Sequence, residues 1–535
     1  MAATLLASLD PEQRAAATLP DGPSLIIAPA GSGKTTTLIA RLGVLLERGV
    51  AAERIAVATF NRDAALDLSA RIAARLAPVI PSAAAIEVRT LHALARRIVI
   101  DARGPVELVT DRMPLLRVVL RRAAAREPPE GDLPAIAELD TEVSAFKVER
   151  RPPAHRSLVE EYRALLAARG ALDFDDLVAE AGNLLESDPY VRLRWQSRFS
   201  HLCVDEFQDV DAGQLRLVRL LAEPERNLFV VGDDDQTIYA WRLADVRRIL
   251  TFESTYPGAR RVQLATNYRC PAPVVGASRS LIGVNRERFA KRIDPAPNAP
   301  PAPATIAAFA TTAPDWADRL AGLASLEGSA GRTICFLART RSELAPVTLA
   351  LVRVGVPHAT SVPAPVQAEP VQALLRAARA QPAHLLPFDA MLRLRAAHRW
   401  RRTDADDTLG DDDHAALDAL MGWTVGFRRL DAFLAAHDAA LSRLESLRRD
   451  EAPVELVTVH AAKGREWQTV VLLGWEEERF PNRRALVDAA DPTRALEEER
   501  RLAYVALTRA TRRLILAFDP ARPSRFLAEA GLAPC

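Results

Sequence analysis

Ser24-Leu-Ile-Ile-Ala-Pro-Ala-Gly-Ser-Gly-Lys-Thr35 is the stretch on which the reading of this chain turns. Ser24–Ile27 is a short apolar run of buried-strand length, and Thr36–Glu47 has helical periodicity. The glycine-rich turn between them has the context of a phosphate-binding loop. Gly31 and Gly33 let backbone N–H groups approach an anion with no Cβ in the way. The helix start behind them adds the positive end of its dipole. Lys34 is expected to reach the β- and γ-phosphates, and Thr35 to ligate Mg²⁺ through its hydroxyl. Ala28, Pro29, Ala30, Gly31, Ser32, Gly33, Lys34, Thr35 and Thr36 together form the expected ATP cradle, with Ala28 in place of the first glycine of the general pattern.

Outward from this loop the same rhythm recurs. Ile55–Thr59, Leu202–Asp205 and Leu228–Gly232 are apolar runs followed by helical patterns. A second set lies at Thr333–Leu337, Val454–Val459, Val470–Leu473 and Leu514–Phe518. Strands alternating with helices imply α/β layers with parallel sheets, here in two doubly wound domains. Two stretches lack strand rhythm and read as helical insertions. The expected division is a first domain over 1–94 and 196–284, interrupted by an insertion at 95–195. A second domain follows over 285–362 and 451–535, interrupted by a short insertion at 363–450. Pro295–Pro303 reads as a linker or exposed loop. The acidic run Asp404–Asp413 has no regular ligand spacing and reads as a solvated loop rather than a metal site.

The chain has 535 residues, 49% apolar and 26% charged, which fits a globular protein of several domains. A formal charge of +1 neither supports nor excludes a nucleic-acid partner, which must be argued from local sites. Cys203, Cys270, Cys335 and Cys535 form no C-x-x-C pair, and their scatter fits a reducing cytoplasm. Met1–Leu9 lacks a signal-peptide pattern, and no apolar stretch is long enough to span a membrane.

His201-Leu-Cys-Val-Asp-Glu-Phe-Gln-Asp209 supplies the second chemical element. An apolar strand ends in two adjacent carboxylates, which project to opposite sides. Asp205 can then hold Mg²⁺ while Glu206 faces the attacking water as general base.

This segment resembles motif II of superfamily 1A helicases of the UvrD/Rep/PcrA type, and the resemblance runs along most of the chain. Leu9-Asp-Pro-Glu-Gln13 resembles the Q motif. Ala58-Thr-Phe-Asn61 and Thr90-Leu-His92 resemble motifs Ia and Ib. Val230–Arg242, with Gly-Asp-Asp-Asp-Gln at its centre, resembles motif III, and Asn267-Tyr-Arg269 motif IV. Val457–Trp467 and Glu498–Ala510 resemble motifs V and VI. The resemblance implies two RecA-like domains with ATP between them. It implies that Gln13 contacts adenine, Tyr268 stacks on it and Glu466 contacts the ribose. Gln236 takes the place of the γ-phosphate sensor, and Arg269 and Arg509 those of two arginine fingers. Thr59, Phe60, Asn61, Thr90, His92, Tyr239, Trp241, Arg242 and His460 match positions along the family's single-stranded DNA track. Base stacking on aromatics is sequence-tolerant. Tyr239 and Trp241, two apart, would share one face of an extended segment, and Arg242 would offer a charge to phosphate. The alternative reading of Phe60 and Trp241 is as core aromatics, and of the two histidines as structural residues.

Some positions depart from the family pattern. Thr36 stands where arginine is frequent, Leu243 follows Arg242 in place of glycine, and Asn61-Arg62-Asp63 follows Phe60. The second insertion is far shorter than the family's fourth subdomain, and no nuclease or zinc module is expected after Ala510. The expectation is an ATP-dependent 3′→5′ DNA helicase and single-strand translocase in repair or replication restart. It would act on single-stranded and 3′-tailed duplex DNA, be monomeric in isolation, and work with repair or replication proteins. The alternative is a translocase that strips proteins from DNA without efficient unwinding. A regulatory DNA-binding module with a dead nucleotide site is disfavoured by the intact Lys34, Asp205, Glu206, Gln236, Arg269 and Arg509. An RNA substrate is disfavoured by the resemblance.

Overall fold

In the computed structural model the run Ser24–Ile27 is a fully buried strand, β1, next to one edge strand of a six-stranded sheet. The structure describes residues 6–126, 133–297, 306–360, 367–401, 409 and 411–532. The chain forms two units, Met1–Asn267 with Glu287–Ile293, and Tyr268–Arg286 with Asp294–Cys535.

The other strands of the first sheet are β2 (Ile55–Thr59), β3 (Glu87–Thr90), β4 (His201–Val204), β5 (Leu228–Gly232) and β6 (Arg260–Gln263). Their order is β3-β2-β4-β5-β1-β6, with every pairing parallel. β1, β2, β4 and β5 are buried throughout, so they read as continuous apolar runs. The edge strands β3 (Glu-Val-Arg-Thr) and β6 (Arg-Arg-Val-Gln) are half exposed and carry charge, so they have no such signature.

Alternation along the strands supplies both faces of the sheet. Leu25 and Ile27 pack with helices α4 (Leu91–Arg103) and α5 (Phe174–Ser187), whereas Ile26 packs with α2 (Lys34–Glu47) and α3 (Arg62–Arg75). A further short helix, α1 (Pro11–Ala17), lies beside α2. The expected insertion at 95–195 is narrower in the structure. The apolar stripe Leu91, Leu94, Ala95 and Ile98 of α4 belongs to the sheet's core, as do Leu177, Ala181 and Leu185 of α5 and Trp195 of the helix Pro189–Arg198. A separate cluster is built by the helices Met113–Ala124, Ile136–Glu149 and Arg156–Ala168, around Leu116, Val119, Leu139, Val143, Val159 and Tyr162.

A buried polar knot ties that cluster to α5. Asp173 caps α5, accepting the Asp176 N–H at 2.9 Å. It also accepts Lys147 Nζ at 2.8 Å and Tyr162 Oη at 2.7 Å. Lys147 reaches Asp176 at 2.8 Å, and Arg112 reaches Asp175 at 2.7 Å. Burial alone would raise the Asp173 carboxyl, but Lys147 and its other donors hold it below the usual carboxylate range.

The second unit repeats the plan with β7 (Ile306–Ala310), β8 (Ile334–Ala338), β9 (Ala359–Thr360), β10 (Val454–Thr458), β11 (Trp467–Leu473) and β12 (Ala510–Phe518). The order is β7-β12-β11-β8-β10-β9, again parallel throughout. Within 363–450 the helices Glu369–Arg379, Pro387–Ala397, Asp411–Thr424 and Leu430–Leu447 share a core that includes Leu375, Met391, Leu417, Leu420 and Phe433. The sequence reading carried the first domain to residue 284, whereas Tyr268–Arg286 belongs to the second unit. The helix α6 (Ala272–Ile282) packs on α7 (Pro492–Leu507), and Asn285 Nδ2 donates to the Glu497 carbonyl at 2.9 Å. Most of Pro295–Pro303 and of the acidic run Asp404–Asp413 lies outside the described residues, as does Cys535. No helix among the described residues is long and apolar enough to cross a membrane.

Replacing Asp173 by alanine removes a cap and leaves the Lys147 ammonium, 4% exposed, with only one of its two carboxylate partners. The first urea transition of the full chain is expected to lose about 3–5 kcal/mol. Tyr162→Phe, which removes one hydrogen bond, is expected to cost only about 1 kcal/mol. Equal losses for the two variants would contradict this account.

Candidate functional site

The parallel register brings three loops to one edge of the first sheet. Ile27 of β1 is level with Gly232 of β5, and Val204 of β4 with Val230 of β5. The glycine-rich loop, the Asp205-Glu206 pair and the Asp233–Gln236 turn therefore leave the carboxyl ends of adjacent strands. In open α/β sheets this is the edge where ligands bind.

The loop has the backbone that its glycines predict. Gly31 (φ +74°) and Gly33 (φ +82°) occupy the left-handed region. Gly33 is the N-cap of α2 and supplies no side-chain cap, so the first N–H groups of the helix are left for an anion. A side chain at Gly33 would be strained at its φ of +82°, and its Cβ, 2.5 Å from Gln13 Nε2, would also displace the Gln13 amide. The Gln13 amide donates to the Ser32 carbonyl at 3.0 Å and braces the loop from behind. Asn267 Nδ2 braces it again, donating to the Ala30 carbonyl at 2.9 Å. Lys34 Nζ donates to the Ala28 carbonyl at 3.3 Å and lies 3.8 Å from Glu206. Ser32 Oγ is buried without a hydrogen-bond partner. An uncapped helix start, a nearby ammonium and an orphaned hydroxyl fit a polyphosphate. Thr35 and Thr36 are half-buried, while Ala28, Pro29 and Ala30 are buried beneath the loop.

Asp205 accepts the Glu206 N–H at 2.9 Å, and Glu206 accepts Gln208 Nε2 at 2.5 Å. Glu206 has φ +52°, a conformation in which a non-glycine residue stores strain of about 1–3 kcal/mol. That turn separates the two carboxylates immediately after β4. Gln208, fully buried, also accepts the Asp233 N–H at 3.0 Å and so joins the two turns. Gln236, 3% exposed, donates to Asp233 Oδ2 at 2.7 Å. Gln208 belongs to the His201–Asp209 motif, but its partners at Glu206 and Asp233 have no signal in local sequence.

The aromatic residues gather near the same edge. Phe60 and Tyr239 stack with centroids 4.8 Å apart and planes at 21°, and Trp241 meets Tyr239 edge-on at 6.3 Å. The segment is not extended as expected. Ala240–Arg242 is a 3₁₀ turn closed by Leu243 at φ +64°, and this turn rather than strand alternation brings the rings together. Trp241 is 62% exposed and so is no core residue, and the Arg242 guanidinium lies over its ring at 5.2 Å. His92 packs edge-on against Phe174 at 5.7 Å, and Phe174 is itself 42% exposed. Phe174, the first residue of α5, joins the aromatic set here. Asn61 and Thr90 are N-caps of α3 and α4, accepting the Ala64 and Ala93 N–H groups. Thr59, at the end of β2, is buried.

In the second unit Arg269 Nε donates to Glu466 at 2.5 Å, and Tyr268 is 50% exposed. Arg509 is 1% exposed and donates to the carbonyls of Val505 at 2.9 Å and Arg465 at 3.2 Å. His460 is half-buried. Burial, with Arg339 and Lys463 adding repulsion, holds its pKa down at about 4. Among the described residues there is no cluster of His, Cys, Asp and Glu able to hold a metal ion by itself.

The two parallel sheets, with a phosphate-type loop and a carboxylate pair at the carboxyl ends of β1 and β4 on either side of β5, define an α/β P-loop ATPase. Residues 9–108 and 136–257 match the UvrD/REP helicase N-terminal domain, and residues 418–519 match the UvrD-like helicase C-terminal domain. The chain belongs to the UvrD/Rep family of ATP-hydrolysing DNA helicases. YjcD of Bacillus subtilis is 26% identical over 95% of this chain and 78% of its own length. The ATP-dependent DNA helicases PcrA of Staphylococcus epidermidis and Staphylococcus aureus are each 34% identical over 54% of this chain. Those matches span 41% of each PcrA.

The His460 value gives a pH prediction. The folded state favours neutral His460, so between pH 6.5, its ordinary value, and about 4 only the unfolded chain takes up the proton. This contribution to stability is complete above pH 6.5 and is lost as pH falls, by about 3 kcal/mol in all. His460→Asn should therefore flatten the acid side of the stability profile of the DNA-free protein. Parallel profiles for the two proteins would show that His460 does not titrate in this way.

Proposed function

We propose that this protein is an ATP-driven 3′→5′ translocase on single-stranded DNA that separates 3′-tailed duplexes in the course of DNA repair or replication restart. The single observation that carries the reading is the arrival of the phosphate-type loop, Asp205-Glu206 and the Gln236 turn at adjacent strand ends, with the Phe60–Tyr239–Trp241 aromatics close by. Polarity and pathway rest on the family resemblance. The proposed setting is the cytoplasm, with the protein monomeric in isolation and assisted by repair or replication proteins.

In this reading Lys34 and the loop N–H groups bind the terminal phosphates, and Thr35 and Asp205 hold Mg²⁺. The bound Mg²⁺–ATP supplies the phosphoanhydride whose cleavage drives the cycle. Glu206, held by Gln208, accepts a proton from the attacking water. Gln236 senses the γ-phosphate, and Arg269 and Arg509 neutralise its charge. Arg509 would have to exchange its carbonyl partners for phosphate to do so. Gln13 and Tyr268 take the adenine, and Glu466, released from Arg269, the ribose. Phe60, Tyr239 and Trp241 stack on bases, joined by Phe174. Arg242 meets phosphate, and Thr59, Asn61, Thr90, His92 and His460 line the strand. A base entering between Phe60 and Tyr239 must part their stacked rings. Alternating grip, with ATP favouring one conformation and its products the other, gives net motion.

A second reading keeps the motor and drops efficient unwinding, so that the protein clears other proteins from DNA. The short second insertion favours it.

The test is strand separation on 3′-tailed, 5′-tailed and blunt duplexes, with Lys34→Ala as control. Separation confined to the 3′-tailed substrate is expected, and Lys34→Ala should have no activity. Strong DNA-stimulated ATPase without separation would favour the second reading, and normal turnover by Lys34→Ala would overturn the site. Glu206→Gln should bind ATP normally and turn over about 10²–10⁴-fold more slowly. Trp241→Ala should weaken oligothymidine binding by about 1–3 kcal/mol, measured by fluorescence anisotropy.

A further inference from the structure

Asp233, Asp234 and Asp235 are consecutive, and none of the three is exposed. Three adjacent carboxylates out of water are costly unless they are neutralised in place. Their cations come from one short segment, Glu287–Ile293. Lys291 Nζ lies 2.6 Å from Asp233, 2.5 Å from Asp234 and 2.9 Å from Asp235. Arg288 adds bonds of 2.9 and 2.7 Å to Asp235, and the Phe289 N–H donates to Asp234 at 2.8 Å.

Asp233 links this cluster to the candidate chemistry. Its Oδ1 takes Lys291, and its Oδ2 takes the Gln236 amide at 2.7 Å. Its N–H meets Gln208, which in turn holds Glu206. A shift of Asp233 would therefore be felt at both Gln236 and Glu206.

We propose that Lys291 is a positioning residue for ATP turnover, its ammonium fixing Asp233 so that Gln236 is aimed at the γ-phosphate. The inference rests on the proposed role of Gln236. Composition lends independent support. Of 70 basic residues only four are lysine, namely Lys34, Lys147, Lys291 and Lys463. Arginine is the default cation of this chain, so a lysine at a side chain 1% exposed answers to shape. Three carboxylates converging on one point suit a compact ammonium with three donors, whereas a planar guanidinium would not fit between them. Burial works against the charge on Lys291, and the three aspartates more than reverse it, so the ammonium persists.

The experiment compares Lys291→Met, Lys291→Arg, Gln236→Ala and the double variant Lys291→Met/Gln236→Ala in the full chain. The readouts are ATPase kcat and KM on oligothymidine, DNA Kd and circular dichroism. Lys291→Met is expected to lower kcat about 10–100-fold, with KM and Kd held within about threefold. Lys291→Arg should not restore kcat, and the double variant should be little worse than Gln236→Ala alone. If Lys291→Met fails to fold, Lys291→Met/Asp234→Asn keeps the net charge of the cluster and replaces it. Native kcat in the folded lysine variant, or losses that simply multiply in the double variant, would overturn the inference. Native kcat in Gln236→Ala would instead remove the role assigned to Gln236, a separate failure visible in that variant alone.

Discussion

Parallel pairing of β4, β5 and β1 is the constraint on which the rest depends. Parallel strands all point their carboxyl ends one way, and each must be followed by a crossover that returns the chain to the start. Loops after β1 and β5, about two hundred residues apart in sequence, thus emerge side by side. The phosphate-type loop and the Asp205-Glu206 pair need no long-range recognition of each other. The parallel pairing of β1, β4 and β5 sets their register, and the register sets the loops.

The chemistry of that edge is held by buried polar groups. Gln13 and Asn267 brace the glycine-rich loop through its carbonyls. Gln208 spans the two neighbouring turns. The aspartate triplet is neutralised from Glu287–Ile293, a segment flanked on both sides by residues of the other unit. Such networks cost desolvation and return geometric definition. The same trade appears at Asp173, where a helix cap, a lysine and a tyrosine join the helical insertion to α5. At Asp173 the network joins two apolar clusters, whereas Phe289, two residues from Lys291, packs against the core of the first sheet.

The central strands, the glycine-rich loop and the carboxylate pair were legible in the sequence because each has a local cause. A strand buried on both faces must be continuously apolar, and a loop that admits phosphate must carry glycine where φ is positive. The edge strands β3 and β6 were not legible, since half their side chains meet water and carry charge. The domain border near residue 284 was not legible either, because α6 is amphipathic whichever unit it packs against.

Sequence by itself determined the α/β class, the two-domain plan and the residue types of the nucleotide loop, all of which follow from local periodicity and backbone freedom. Only the tertiary structure decided which polar groups meet. Trp241 meets Tyr239 edge-on because a 3₁₀ turn replaces an extended segment. Gln208 joins Glu206 to Asp233, and Lys291 reaches three aspartates from 56 to 58 residues away in sequence. Hydrogen bonds and ion pairs act over a few ångströms of space, and the distance along the chain between their partners leaves no periodic trace.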